Sequence, residues 1–300
     1  MVKTYADLYL DARRAFLPAD GMYASNLARE LVCAASGKSP EAIVADRNLY
    51  ASEEICARME DYVRRHLAGE PIAYILGQWD FIDMTLTVTR DVLIPRDDTM
   101  AVVELAVKKA LFLPRNPRIL DLCTGSGCIG LAVARRVQDA KVTLSDLSQA
   151  ALRVARKNAA DLHLSGRVSC VSVDVTKPAA PFLGKYDLIT ANPPYVTTAE
   201  LETLDPSVRE YEPRMALDGG ADGLDFYRAI AENFRTAIRP GGYLVLEFGQ
   251  GQAEDVCAIL REKDFEVLEL RQDNSGITRA VLARYGKPEP PEAQEGKGRP

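Results

Sequence analysis

The chain has 300 residues, 47% of them hydrophobic and 27% charged, as expected of a folded, water-soluble protein with one large or two smaller domains. Its 37 Lys+Arg against 43 Asp+Glu give a net charge of −6, which disfavours a protein built to hold long stretches of nucleic-acid backbone. Six cysteines without a CxxC pair, and only His66 and His163 as imidazoles, argue against a structural zinc site. No charged-then-apolar leader opens the chain and no apolar run approaches the roughly 20 residues of a membrane span, so a cytoplasmic protein with reduced thiols is expected.

From Thr4 to Gly69 the apolar residues recur at three and four, the helical period. The segments are "TYADLYLDARRAFL", "SNLARELVCAASG" with Ser25 as a possible N-cap, "SPEAIVAD" with Ser39 before Pro40, and "SEEICARMEDYVRRHLAG" capped by Ser52 and closed by Gly69. They predict a small N-terminal helical bundle over residues 1–78. Residues 79–94, "WDFIDMTLTVTRDVLI", alternate in strand fashion and predict a connecting β-hairpin.

Beyond Pro95 short apolar strands alternate with helices. The strands are expected at 118–123, 141–146, 167–174, 186–191 and 242–248. This rhythm predicts an α/β fold with a parallel sheet, right-handed crossovers and helices on both faces. "FEVLEL" and "TRAVLARY" have no helix between them and predict an antiparallel end to the sheet. A domain over residues 95–285 results, followed by a Pro/Gly/charge-rich tail, 286–300, expected to be disordered.

Ligands of open parallel sheets bind beyond the carboxyl ends of the strands. The first such end is "DLCTGSGCIGLAVA": Asp121 closes a strand, Thr124-Gly125-Ser126-Gly127 turn, and a helix opens at Ile129 with free backbone N–H groups at its start. Cys123 and Cys128 read as small residues flanking this loop rather than a redox pair. About twenty residues on, Asp146 ends the second strand, where a carboxylate can accept both hydroxyls of a ribose. Asp174 ends the third, placed to reach an adenine edge. Three acidic strand ends in series point to a nucleoside ligand, and NAD shares the first two features.

These residues resemble the motifs of S-adenosylmethionine-dependent methyltransferases of the Rossmann-like class I fold. Their loop commonly reads GxGxG, and Cys123 stands at its first glycine. The resemblance implies S-adenosylmethionine as cofactor, held by Asp121, Cys123, Thr124, Gly125, Ser126, Gly127, Asp146, Leu147, Asp174, Val175 and Asn192.

The fourth strand, "YDLITA", runs into Asn192-Pro193-Pro194-Tyr195. An [Asn/Asp]-Pro-Pro-Tyr turn there resembles methyltransferases that act on nitrogen bonded to an sp² carbon. Such a nitrogen is a poor nucleophile because its lone pair is delocalised. The Asn192 side-chain oxygen can accept one N–H and the Pro193 carbonyl the other, which turns the lone pair toward the methyl. The prolines hold these acceptors rigid, and Tyr195 offers a flat face to the amide or base. Asn192, Pro193 and Tyr195 are thus the expected catalytic residues.

Two substrate classes share this chemistry, the exocyclic amine of a nucleobase and the side-chain amide of a protein glutamine. "GEPIAYILGQWDF", "VLIPRDDT", "ANPPYV", "YEPRMALDGGADGLDFYRAI", "LVLEFGQGQ" and "DNSGITRAVLARY" resemble, in order, the PrmC/HemK family. That resemblance implies N5 methylation of the glutamine in the Gly-Gly-Gln loop of class I peptide-chain release factors. It implies a substrate site of Asn192, Pro193, Pro194, Tyr195, Arg96 and Thr99. The family usually reads Pro-Arg-Pro-[Glu/Asp]-Thr-Glu where this chain has Pro95-Arg96-Asp97-Asp98-Thr99-Met100. A sister family acting on a ribosomal-protein glutamine shares the Asn-Pro-Pro-Tyr turn but reads "PRSPI" there, so Asp98-Thr99 favour the release factor. Methylation of adenine N6 in nucleic acid is the alternative from another class, disfavoured by the acidic balance; a non-catalytic cofactor-binding scaffold is a third. The expected partner is a release factor, with no direct nucleic-acid or membrane contact, and the expected state is a monomer. The N-terminal bundle and the "YEPRMALDGGADG" stretch are candidates for docking it, or the bundle covers the end of the sheet.

Overall fold

Local capping signals start the leading helices in the computed structural model, which describes residues 3–286. Thr4 opens helix α1 (Tyr5–Asp20) through a capping box: its hydroxyl accepts from Asp7 N at 3.1 Å while the Asp7 carboxylate accepts from Thr4 N at 2.9 Å. Ser39 and Ser52 cap α3 (Pro40–Ala45) and α4 (Glu53–Leu67) in the expected way. Ser25 does not cap. Helix α2 (Ala24–Ser36) is entered through a 3₁₀ turn at Gly21–Tyr23, so Ser25 already lies inside it, where its hydroxyl accepts from Arg13 Nε at 3.0 Å.

The described chain divides into two compact units, the first made of residues 3–79, 88–90 and 204–212. It contains α1–α4, α5 (Ile72–Leu76) and the distant α9 (Pro206–Tyr211). Its core is the inward stripe the helical period requires, with Phe16, Leu31, Met59 and Ile75 buried together. Glu70 is a buried carboxylate held by two guanidinium groups, accepting from Arg65 Nε at 2.8 Å with Arg90 Nη2 at 2.8 Å. Arg90 also stacks on the ring of Tyr211, whose hydroxyl donates to the Ala68 carbonyl at 2.8 Å.

The hydrogen bond from Arg65, with help from Arg90, holds the Glu70 carboxyl down at about 2. A depressed carboxylate contributes stability above its unfolded pKa and loses it as pH falls through the folded value. Glu70→Gln is expected to cost this unit about 2–3 kcal/mol near pH 7. The deficit should shrink between roughly pH 4.5 and pH 2, measured by thermal unfolding across that range.

The second unit comprises residues 80–87, 91–203 and, among the described residues, 213–286. A short hairpin, β1 (Gln78–Phe81) and β2 (Met84–Thr87), turns at Ile82 and buries Phe81, Met84 and Leu86. Seven strands form the main sheet: β3 (Arg118–Leu122), β4 (Lys141–Asp146), β5 (Val168–Ser172), β6 (Tyr186–Ala191), β7 (Ile238–Glu247), β8 (Phe265–Gln272) and β9 (Thr278–Tyr285). Their order is 5-4-3-6-7-9-8, with β3 to β7 parallel and β9 antiparallel between β7 and β8. Helices α6 (Met100–Ala110), α7 (Cys128–Arg136) and α8 (Gln149–Asp161) cover one face, and α10 (Asp225–Asn233) and α11 (Ala253–Glu262) the other. The direction of strand succession reverses between β3 and β6, which opens a crevice at their carboxyl ends. Among the described residues no helix is long and apolar enough to cross a membrane. Of the tail, 286–300, all but Gly286 lies outside the described residues.

Candidate active site

The turn after β3 is shaped by backbone conformation as much as by side-chain size. Cys123, Gly125 and Gly127 have φ of 52°, 54° and 87°. A glycine is thus favoured at position 123 for its left-handed φ and not merely for its small volume, and Cys123 occupies it at some strain. Burial raises the Cys123 thiol and pushes that of Cys128 up to about 12, so neither is a ready thiolate.

Asp121 faces inward and frames the turn. Its carboxylate accepts from the Thr124 hydroxyl, from Gly130 N at 3.2 Å and from the Thr190 hydroxyl of β6 at 2.6 Å. Burial pushes its carboxyl up to about 6 while these three donors pull it down. The bond to Thr190 locks β3 to the strand that delivers Asn192. Asn158 of α8 does the same for the far side: its amide pairs with both backbone groups of Thr87, at 2.7 and 3.0 Å, and donates to the Ser126 carbonyl at 2.9 Å.

The crevice has a volume of about 420 Å³. Of the expected residues, Arg96, Thr99, Cys123, Thr124, Gly125, Ser126, Asp146, Leu147, Asp174, Val175, Asn192 and Pro194 line it; Asp121, Gly127, Pro193 and Tyr195 are not among the lining residues. Ile129, Val173, Met215 and Phe226 line it too, apolar residues to which the sequence motifs assigned no role in the site. Asp146 stands at the rim: Oδ2 accepts from Gly125 N and Oδ1 from Ser148 N, both at 2.9 Å. Burial raises its carboxyl against these backbone donors. Asp174 lies two residues past β5 with Oδ1 bound by the Thr176 hydroxyl at 2.6 Å, which holds its carboxyl below the usual range.

Asn192 directly follows β6, so the strand aims it into the crevice. The turn behind it is enclosed by glycines. Val196 N donates to Leu217 O at 3.0 Å and Gly219 N to Val196 O at 2.8 Å, pairing the turn with the "ALDGGADG" stretch. A Cβ at Gly219 would lie 2.8 Å from Pro194 O, and one at Gly223 only 2.4 Å from Tyr195 O. Gln252 completes the brace, donating to Tyr195 O at 3.1 Å and accepting from Gly249 N at 2.9 Å. The glycine stretch is therefore part of the wall that holds Asn-Pro-Pro-Tyr.

Beside Asn192 stands the "PRDDT" loop. Asn192 Nδ2 lies 3.4 Å from Thr99 Oγ1, and Asp98 pairs at 2.9 Å with Arg279 of β9, which also holds Asp273 at 3.0 Å. Glu247, the last residue of β7, is buried next to this group. It lies inside the "LVLEFGQGQ" stretch that carries the family resemblance, but no role was read for it, because the apolar run "YLVLEF" reads as a core strand.

Two family models match the chain, "Methyltransferase small domain" at residues 104–206 and "PrmC N-terminal domain" at residues 7–77. The chain is 39% identical over 278 residues to a release factor glutamine methyltransferase of Geobacter sulfurreducens, covering 92% of this chain and 95% of that protein. It is 41% identical to one of Rhodospirillum rubrum, covering 83% and 75%. Among solved structures the hMettl16 catalytic domain superposes with a TM-score of 0.55 at 13% identity, over 79% of this chain and 83% of that one, a likeness of fold.

Proposed function

The chain belongs to the release factor glutamine methyltransferase family, and on that premise we propose that it methylates the side-chain amide nitrogen of a glutamine, the one in the Gly-Gly-Gln loop of class I peptide-chain release factors. The observation that carries this reading is the placement of Asn192 in the same crevice as Asp146 and the glycine turn. S-adenosylmethionine fits that crevice and, when bound, supplies an electrophilic methyl group on a sulfonium. A nucleoside-sized volume, a carboxylate at the end of β4, the glycine turn and the apolar Val175, Ile129 and Leu147 suit its ribose and adenine.

In this reading the Asn192 carbonyl oxygen and the Pro193 carbonyl take the two N–H bonds of the substrate carboxamide and leave its lone pair facing the methyl. No base is required before transfer, since the N-protonated amide that results is strongly acidic. Tyr195, largely buried with its hydroxyl pushed up to about 12, stays neutral and supports the turn from behind. The N-terminal bundle docks the release factor in this reading. The enzyme acts as a monomer, without direct contact to nucleic acid.

The test is incubation with labelled S-adenosylmethionine and, separately, a release factor, a ribosomal protein fraction and DNA. Label on the Gly-Gly-Gln peptide is expected; label confined to a ribosomal protein or to adenine would overturn the assignment. Asp146→Ala is expected to weaken cofactor binding by about 10- to 100-fold, the worth of one or two charge-assisted hydrogen bonds, read by calorimetry.

A further inference from the structure

A terminal amide presents a carbonyl oxygen or an NH₂ at nearly equal size, and only one of them serves this reaction. With the oxygen forward, Asn192 accepts an N–H of the incoming carboxamide. With the nitrogen forward, two donors oppose each other and the substrate is turned away. Something in the protein must therefore set which end of Asn192 faces the crevice.

The groups behind Asn192 are suited to that task. Nδ2 is the atom directed at Thr99 Oγ1, at 3.4 Å. Glu247 is 1% exposed, and Thr99 and Asn192 are hydrogen-bonding neighbours of its carboxylate. Its Oε2 has no hydrogen-bond partner among the described residues. A buried carboxylate with a free oxygen is costly, and as an ion it can only accept. We infer that Glu247 is a positioning residue for the methyl transfer: with Thr99 it draws the NH₂ end of Asn192 backward and so fixes the carbonyl oxygen toward the substrate amide. This inference rests on the role of Asn192 given above. The Asp98–Arg279–Asp273 chain holds the Thr99 loop in register with β9, so the acceptor pair does not drift.

The ionic state of Glu247 then matters. Burial pushes its carboxyl up to about 7, aided by the nearby Asp98, while Thr99, Arg279 and Asn192 pull it down. The other titratable groups facing it are Tyr195, Tyr227 and Cys128, all held neutral by burial. Above that value the carboxylate accepts. Below it one oxygen becomes a donor and favours the reversed amide.

The experiment compares wild type, Glu247→Gln, Thr99→Val and Asn192→Ala for kcat, release-factor KM, cofactor Kd and melting temperature between pH 5.5 and 9. For Glu247→Gln, kcat is expected to drop about 10- to 100-fold, with KM and cofactor Kd within about threefold of wild type. Wild-type kcat is expected to fall on an acidic limb near pH 7, and Glu247→Gln should lose that limb. Thr99→Val should lower kcat in the same direction, which keeps the inference testable if Glu247→Gln proves unstable. A Glu247→Gln enzyme with wild-type kcat, or one whose acidic limb persists and so belongs to Asp121 or Asp146, overturns the inference. So does a loss shared equally by kcat, cofactor Kd and melting temperature. An active Asn192→Ala enzyme instead defeats the underlying reading, so the two failures are separable.

Discussion

Asn192→Ala is expected to lower kcat by a factor on the order of 10³ while leaving cofactor affinity within about threefold. Alanine keeps the strand and both prolines, so the turn persists. What it loses is one of two acceptors that orient the carboxamide, an interaction made to the reacting nitrogen and not to the nucleoside. Single-turnover kinetics with labelled cofactor, alongside calorimetric titration of the same cofactor, separates the two quantities. Near-normal turnover would remove Asn192 from the chemistry. A cofactor affinity weakened in proportion to kcat would make it a binding residue instead.

The second large effect is expected far along the chain, at Gly223. This residue has φ of 74°, and a Cβ there would approach Tyr195 O to 2.4 Å. Gly223→Ala therefore adds a left-handed backbone penalty of about 1–2 kcal/mol and a clash against main chain that only a shift of the turn relieves, about 1–3 kcal/mol more. The displaced atoms belong to Asn-Pro-Pro-Tyr itself. A displacement near 1 Å at a positioning group costs on the order of 10²-fold in rate. Cofactor binding, which depends on Asp146 and the glycine turn, should change far less. Thermal melting and kcat measured together check this: a destabilised enzyme with unaltered kcat would show that the glycines serve stability alone.

The parallel sheet was legible because most of its strands are short apolar runs with a helix between them, and β4 and β6 begin and end where that pattern places them; the helix expected between β5 and β6 is only the 3₁₀ turn Pro181–Leu183. Ser39 and Ser52 were legible as caps because a serine precedes an uninterrupted helical period. Ser25 misled for a physical reason: the 3₁₀ turn at Gly21–Tyr23 starts the helix early, and the hydroxyl finds a partner in Arg13 across the helix pair. The crevice motifs were legible as residue types but not as roles. Asp121 looks like its acidic counterparts in sequence, yet its partners are Thr124, Gly130 and Thr190, so it builds the site without lining it. Glu247 stood inside "LVLEFGQGQ" with no role of its own, and Asn158 was silent altogether. Each is a polar residue within an apolar pattern, and only three-dimensional neighbours, Thr99 and Asn192 for one and Thr87 and Ser126 for the other, give it a meaning.

Residues 204–212 leave the catalytic unit just after the Asn-Pro-Pro-Tyr turn, join the partners of α4 in the first unit, and return before the glycine stretch. The two units are consequently not consecutive stretches of the chain. A shortened protein beginning near residue 80 would keep Tyr211 but lose the Ala68 carbonyl to which its hydroxyl is tied, leaving an unanchored excursion between the two halves of the catalytic wall. Isolating the methyl-transferring half would thus require excising that excursion and rejoining its ends, and a clean amputation at the front would not suffice.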